Sequence, residues 1–327
     1  MKKLLTLLAV LCALTRGAFA AVEEPIDSRF KATKPDLAMG DWQGTPGYVA
    51  QVFPTDDGKY QANVFKQFDE VDAKPLAIMK GDLASLSGGG WSGAIAGGHF
   101  KAGKDSDRFD LQHITRVSPT LGAKPPQGGI VLFDGANLEA WAKKQGKDWL
   151  KEDGPAKWKL LADGSVEVVP ASDCIITHKK FGDFRVHLEF RTIGYPTNSG
   201  VYLQTRYELN INETYGKLEG GPNAGFDNCT DDARPRIRAC YPPLSWQTFD
   251  IDFHAPRFDA SGKKIAPARA TALFNGVKIY DEQELTKPKL SAGRLGEAPT
   301  GPLMLQEHGM PLQFRNIWVV ETKSTGL

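Results

Sequence analysis

The sequence predicts an all-β protein in two parts. Three observations carry that prediction. Turn-forming residues are abundant, with Gly 34 and Pro 21 in 327 positions; segments of strand length recur along the chain; and a search for helical periodicity finds little beyond a short turn around residues 135–144. The length exceeds the roughly 100–200 residues of one ordinary domain, and a hydrophobic content of 41% with 24% charged residues supplies a core and excludes wholesale disorder. Lys+Arg 40 against Asp+Glu 39 gives a net charge of +1. A nucleic-acid groove or an acidic membrane surface needs clustered basic charge, so no nucleic-acid partner is expected.

The first twenty residues read as a signal peptide. Met1-Lys2-Lys3 is basic, Leu4 to Leu14 is apolar, and Ala18-Phe19-Ala20 supplies small residues before a cleavage point. Cleavage after Ala20 removes Lys2, Lys3 and Arg16 and no acid, which leaves the acids in excess by two and sends the protein to the periplasm or outside the cell. Cys12 follows Leu11 where lipoprotein processing wants a small residue, so an anchor is disfavoured. The apolar run is shorter than the ~20 residues of a spanning helix, and no transmembrane segment is expected.

Residues 21–124 are expected to form a small antiparallel β domain. Its strand-length segments are Tyr48–Phe53, Lys59–Phe65, Pro75–Met79, Trp91–Ile95 and Phe109–Ile114, separated by Gly- and Asp-rich turns, with residues 22–45 as an unpatterned lead-in. The run from Ser118 to Gly129, Ser-Pro-Thr-Leu-Gly-Ala-Lys-Pro-Pro-Gln-Gly-Gly, is a stiff linker. It places the second domain at 125–327.

That second domain alternates with period 2. Phe184, Val186, Leu188 and Phe190 share one face, leaving Arg185, His187, Glu189 and Arg191 on the other. The same rule sets Tyr202, Gln204 and Arg206, then Glu208, Asn210 and Asn212, opposite apolar neighbours, and separates Asp250, Asp252 and His254 from Phe249, Ile251 and Phe253. A polar face so rich in His, Arg, Tyr, Gln and acids suits a sheet that grips a polar ligand. Asp163-Gly164 and Asn275-Gly276 are hairpin turns with a structural role. Cys229 and Cys240 bracket a loop-like stretch and are expected to form a disulfide in an oxidising compartment, whereas Cys174 in an apolar run reads as a buried thiol. No Cys or His spacing indicates zinc.

The order Leu132-Phe-Asp-Gly135, Trp141, Trp158, Phe181-Gly-Asp-Phe184, Leu188-Glu-Phe-Arg191, Asn198-Ser-Gly200, Tyr207-Glu208, Trp246, Phe274-Asn-Gly276, Leu305-Gln-Glu-His-Gly309 and Phe314-Arg-Asn-Ile317 resembles the 3-keto-disaccharide hydrolase family across about residues 129–321. The resemblance implies a concanavalin A-like jelly-roll β-sandwich with a sugar-sized groove, in an exported bacterial protein. Two departures stand out. Asn210 and Glu213 occupy positions where the family tends to have Gln and Asp, and Gln306-Glu-His-Gly309 replaces Gln-Asp-His-Gly. Glu keeps the charge of Asp but lengthens its reach, which weakens a metal-ligand role at either acid.

The chemistry implied is cleavage of a glycosidic bond whose sugar carries a ketone at C3, by proton abstraction at C2, elimination and hydration, or by direct hydrolysis. It needs a base, a stabiliser for the enolate and an acid for the leaving group. Candidate catalytic residues are His308, Glu208, Glu189 and Arg191, with Arg191 as the cation. Candidate substrate-binding residues are Asn198, Tyr202, Gln204, Asn210, Asp250 and Gln306, with Tyr202 also able to stack on a sugar. The oxygen-rich set leaves Ca²⁺ as an open cofactor choice. The alternative function is a lectin-like carbohydrate-binding protein without turnover.

Overall fold

The computed structural model of the chain describes residues 31–322 apart from 33, 46, 219–223, 227–228, 231–234, 236, 290–291 and 293–294. The expected signal peptide and Cys12 lie outside the described residues. Within them the regular elements are β-strands apart from 3₁₀ structure at Ala292 and Leu295, and no helix is long and apolar enough to cross a membrane.

After β1 (Lys31–Ala32) come β2 (Gly40–Thr45), β3 (Tyr48–Pro54), β4 (Tyr60–Phe65), β5 (Ala77–Asp82), β6 (Ser85–Gly88), β7 (Trp91–Ala96), β8 (His99–Lys104) and β9 (Asp107–Ile114). From β2 onward each pairs with the next, and β2 pairs with β9, so the expected meander is a closed barrel with no free edge. Closure needs glycine at one point: a Cβ on Gly44 would stand 2.1 Å from the Asp110 carbonyl oxygen. Trp42, Tyr48, Trp91, Phe100 and Phe109 fill the interior. Strands β2, β6 and β8 are too rich in Gly, Ser and Lys for alternation to reveal them.

The chain then builds β10 (Ile130–Phe133), β11 (Trp141–Gln145), β12 (Asp148–Pro155), β13 (Lys159–Leu160), β14 (Val166–Glu167), β15 (Ile175–Phe181), β16 (Phe184–Thr192), β17 (Gly194–Tyr195), β18 (Asn198–Leu203), β19 (Tyr207–Asn212), β20 (Gln247–His254), β21 (Arg257–Phe258), β22 (Lys264–Ala266), β23 (Ala268–Phe274), β24 (Val277–Leu285), β25 (Gly301–Leu305) and β26 (Leu312–Glu321). While β17 pairs with β1 and β21 with β22 as two-stranded ribbons, two large antiparallel sheets result. One has six strands in the order β12-β11-β15-β25-β18-β19; the other has eight, β13-β14-β26-β16-β20-β23-β24 with β10 also on β26. Val186, Leu188, Phe190, Phe249 and Ile251 from the eight-stranded sheet meet Val201, Leu203, Leu209 and Ile211 from the six-stranded one, the face-to-face packing of a jelly-roll sandwich.

The outer face of the eight-stranded sheet corrects part of the sequence reading. Glu189, Arg191 and Asp250 lie on β16 and β20, away from the strands that carry Tyr202 and Glu208, and the linker runs across them. Thr120 donates its hydroxyl to Asp250 Oδ2 at 2.6 Å, the Gly122 N–H donates to Glu189 Oε1 at 2.5 Å, and Asn316 and Trp318 both donate to the Ala123 carbonyl at 3.0 Å. Arg315 reaches Glu189 at 2.6 Å, and His187 sits between Asp250 at 2.7 Å and Glu189 at 3.6 Å. Burial alone would raise the Glu189 carboxyl, but His187, Asn316, the Gly122 N–H and Arg315 together hold it at about 2. His187 and Glu189 are fully buried, and this network fastens the linker to the sheet. Arg191 is committed to Asp163 at 2.9 Å and to Gln313 at 2.5 Å, beside Trp246. Period 2 separates core from exterior but not one sheet from the other.

Gln204 is likewise corrected. It occupies the turn between β18 and β19 with φ 52°, is fully buried, and donates its amide to the Phe181 and Pro299 carbonyls at 3.0 and 3.1 Å. Cys229 and Cys240 are not joined by a disulfide; both are buried in the sandwich core, and the Cys240 thiol donates to the Tyr241 carbonyl. Sequence spacing does not fix the approach of two Cβ atoms that a bridge requires.

Barrel and sandwich meet through polar contacts. Asp41 accepts from Arg116 and from the Tyr215 hydroxyl, each at 2.8 Å, and Asn63 donates to the Gly216 carbonyl at 2.6 Å. Next to them Glu213 accepts from the Thr192 hydroxyl and the Tyr215 N–H. Burial outweighs these bonds and pushes its carboxyl from 4.5 up to about 7. A carboxyl whose folded value is raised gives stabilisation that is complete below its unfolded value and is lost as pH rises through the folded one. From about pH 4.5 to about pH 7 the unfolding free energy of Glu213→Gln should therefore gain on wild type by roughly 3 kcal/mol. Chemical denaturation across that range checks it, and parallel pH profiles would contradict it.

Candidate functional site

The outer face of the six-stranded sheet carries the cleft. Strands β18 and β19 pair so that Tyr202 stands opposite Glu208, Gly200 opposite Asn210 and Asn198 opposite Asn212, while the intervening Val201, Leu209 and Ile211 enter the core. Glu208 folds across Gly200, where a Cβ would stand 2.6 Å from its Oε1. That close approach gives Asn198-Ser-Gly200 its meaning: glycine leaves room for the carboxylate.

The partner of Glu208 is Lys289, whose ammonium pairs with Oε2. Their side chains are 4% and 19% exposed. Lys289 arrives on the segment after β24, where its N–H donates to the Arg206 carbonyl at 2.9 Å. The adjacent β25 brings Gln306, whose N–H donates to the Gly200 carbonyl at 3.0 Å and whose amide donates to the Tyr202 hydroxyl at 3.2 Å. Gln306 Oε1 is buried and has no hydrogen-bond partner among the described residues. An orphaned buried acceptor costs about 1–3 kcal/mol, which a ligand hydroxyl would relieve. His308 is exposed at the rim, in a turn closed by the Gly309 N–H donating to Glu307.

The far wall comes from β11, β12 and the approach to β15. Lys144 pairs with Asp173 at 2.9 Å, and Trp149 packs edge-on against Tyr202 with ring centroids 5.6 Å apart. Cys174 also lines this wall, but burial pushes its thiol up to about 11, so it is no thiolate nucleophile at neutral pH. The volume of this open cleft is about 480 Å³, within the roughly 300–1,000 Å³ of small-molecule sites. A larger space of about 820 Å³ at the barrel junction, lined by Leu37, Phe53, Tyr195 and Glu213, gathers no comparable set of ion pairs and open acceptors among the described residues.

Of the candidates from sequence, the structure brings together His308, Glu208, Asn198, Tyr202, Asn210 and Gln306. It leaves Glu189, Arg191, Asp250 and Gln204 elsewhere. Lys289, Lys144, Asp173 and Trp149 join the site without a local signal, since a lysine in Lys287-Pro-Lys289 reads as surface. Asn212 alone was signalled, by its alternation with Asn210. The oxygen donors of the cleft include the carboxylates of Glu208, Asp173 and Glu307 and the amide carbonyls of Asn198, Asn210, Asn212 and Gln306, a type that suits Ca²⁺; among the described residues no three His, Cys, Asp or Glu side chains converge as a metal site.

Comparison with known proteins places this architecture. The model of the 3-keto-alpha-glucoside-1,2-lyase-like domain matches residues 128–320, the stretch that forms the sandwich and its cleft. A solved structure of a proposed glycosyl hydrolase from Parabacteroides distasonis is 30% identical, covers 60% of this chain and 85% of that one, and has a TM-score of 0.52. A second from the same organism is 19% identical, covers 60% and 95%, and has a TM-score of 0.43. No curated protein matches the chain. With its sandwich matched from end to end, the chain belongs to the family of the 3-keto-alpha-glucoside-1,2-lyase-like domain, a carbohydrate-acting, glycosyl hydrolase-like family.

Proposed function

We propose that the protein is an enzyme that cleaves the glycosidic bond of 3-keto-glucosides or 3-keto-disaccharides by elimination and hydration. The observation that supports this most is the pairing of the buried Glu208 carboxylate with the partly buried Lys289 in the cleft, beside Gln306 Oε1, which has no partner among the described residues. Glu208 takes the C2 proton, and the C–H electrons move onto the C3 oxygen as an enolate. Lys289, next to Glu208, stabilises that oxyanion. The enolate then returns its electrons, the C1–C2 double bond forms, and the C1–oxygen bond breaks. His308 at the rim gives a proton to the leaving oxygen. Water adds across the double bond to yield 3-keto-glucose and the released alcohol or sugar.

Gln306, Asn198 and Asn212 read hydroxyls of the sugar. Ordinary glycoside hydrolysis needs two carboxyl groups astride the bond, about 5–5.5 Å apart for retention or 6.5–9.5 Å for inversion. Here the acids of the cleft are each engaged: Glu208 with Lys289, Asp173 with Lys144, and Glu307 with the Gly309 N–H. A base beside a cation suits proton abstraction better.

Incubation with a 3-keto-disaccharide and with its unoxidised parent tests the reading. Release of 3-keto-glucose from the first alone is expected; saturable binding without product would favour the lectin alternative. Glu208→Gln, Lys289→Met and His308→Ala should each lower kcat at least about tenfold, about 1.4 kcal/mol of barrier, with melting behaviour unchanged for the exposed His308. Gly200→Ala, which drives a methyl into Glu208, should match the loss of Glu208→Gln. Wild-type kcat in these variants would remove the site assignment.

A further inference from the structure

The ladder between β11 and β12 shifts register between Ala142 and Lys144 and again between Lys144 and Gln145, and such irregularities bend a hairpin. In the six-stranded sheet β12 stands four places from β18, about 19 Å away at the ordinary strand spacing of about 4.8 Å. Trp149 of β12 nevertheless touches Tyr202 of β18, with rings at 82°. The hairpin tip therefore arches back over the outer face of the sheet. Lys144 clamps it there, donating to the Gly146 carbonyl at 2.5 Å and pairing with Asp173.

Tyr202 cannot serve as a stacking surface. It is 1% exposed, and its hydroxyl accepts from Gln306. Trp149 is the aromatic side chain of the cleft lining, among the described residues, that keeps solvent-accessible surface. It is separated from Glu208 by the width of one side chain, since Tyr202 is the direct cross-strand partner of Glu208. An indole offers a broad apolar face at small conformational cost, and a pyranose or aryl ring presents a matching apolar face.

We infer that Trp149 is the platform of a leaving-group subsite: the ring of the aglycone, a second pyranose or an aromatic group, packs on the indole while Glu208 and Lys289 act on the neighbouring keto-sugar. The inference rests on the elimination reading above and adds its substrate class, 3-keto-glucosides whose leaving group carries a ring. The Lys144 ammonium lies over the indole, 5.7 Å from its centroid, paired with Asp173, and the two suit the hydroxyls of a sugar aglycone that shares the platform.

The test compares a 3-keto-disaccharide and an aryl 3-keto-glucoside with methyl 3-keto-glucoside, whose leaving group has no ring. Trp149→Ala should raise KM for the first two about tenfold or more while leaving kcat within about threefold, the mark of lost binding shared by ground and transition states. Methyl 3-keto-glucoside should be processed within about twofold of wild type. Trp149→Phe, which keeps an apolar ring against Tyr202, should stay within about threefold on all three and controls for a loosened hairpin. Equal damage to ring-bearing and methyl substrates, or none to either, overturns the platform. Should wild-type protein turn over none of them, the elimination reading fails by itself, and the platform is then decided by calorimetric titration with the unoxidised disaccharide and methyl glucoside. A selective loss of disaccharide affinity in Trp149→Ala supports it, and parallel affinities overturn it.

Discussion

A carboxylate taken out of water must find a cation, and here that requirement organises the cleft. The effective penalty for burying each ion is several kcal/mol, offset only when geometry and further hydrogen bonds are good. Glu208 meets the condition by lying over Gly200 against Lys289. Both partners depend on one tight turn. Gln204 and Thr205 adopt left-handed φ of 52° and 61°, and through them β18 reverses into β19 with Tyr202 opposite Glu208. Arg206 then donates to the Gln204 carbonyl at 2.9 Å and to the Gly296 carbonyl at 2.6 Å, and its own carbonyl receives the Lys289 N–H. One turn thus delivers the base and holds the segment that delivers the cation.

The two sheets put similar side chains to opposite uses. On the eight-stranded sheet His187, Glu189, Asp250, Arg315 and Asn316 saturate one another and the linker backbone, leaving Glu189 with four partners and no access. On the six-stranded sheet, among the described residues, no linker crosses and Gln306 keeps a buried acceptor with no partner. Satisfaction of the polar groups, more than their identity, separates a structural network from a binding site. The linker that covers the first network also joins barrel to sandwich, and Arg116 just before it is shared between Asp41 and Asp69.

The all-β class, the sandwich core and half of the site were legible because they rest on local pattern. Phe184, Val186, Leu188 and Phe190 announce their buried face by alternation, and Glu208 and Asn210 share a face whatever the partner strand is. What stayed hidden was relational. Nothing in Glu189-Phe-Arg191 tells which sheet β16 joins, and nothing in Gln204 tells that the polar alternation is broken by a turn. Lys289 and Trp149 reach the cleft through an anchored loop and a bent hairpin, neither of which has a periodic signature. The barrel strand Gly40–Thr45 was invisible for a different reason, since its glycines serve the closing ladder and contribute no hydrophobic pattern.

The most direct measurement is a crystal structure of the Glu208→Gln variant soaked with a 3-keto-disaccharide. The account predicts the keto-sugar on the outer face of the six-stranded sheet, with its C2 atom within about 3.5 Å of the residue 208 side chain, its C3 oxygen toward Lys289 and its second ring toward Trp149. Sugar density on the eight-stranded sheet or in the space between barrel and sandwich, with the cleft empty, would contradict it.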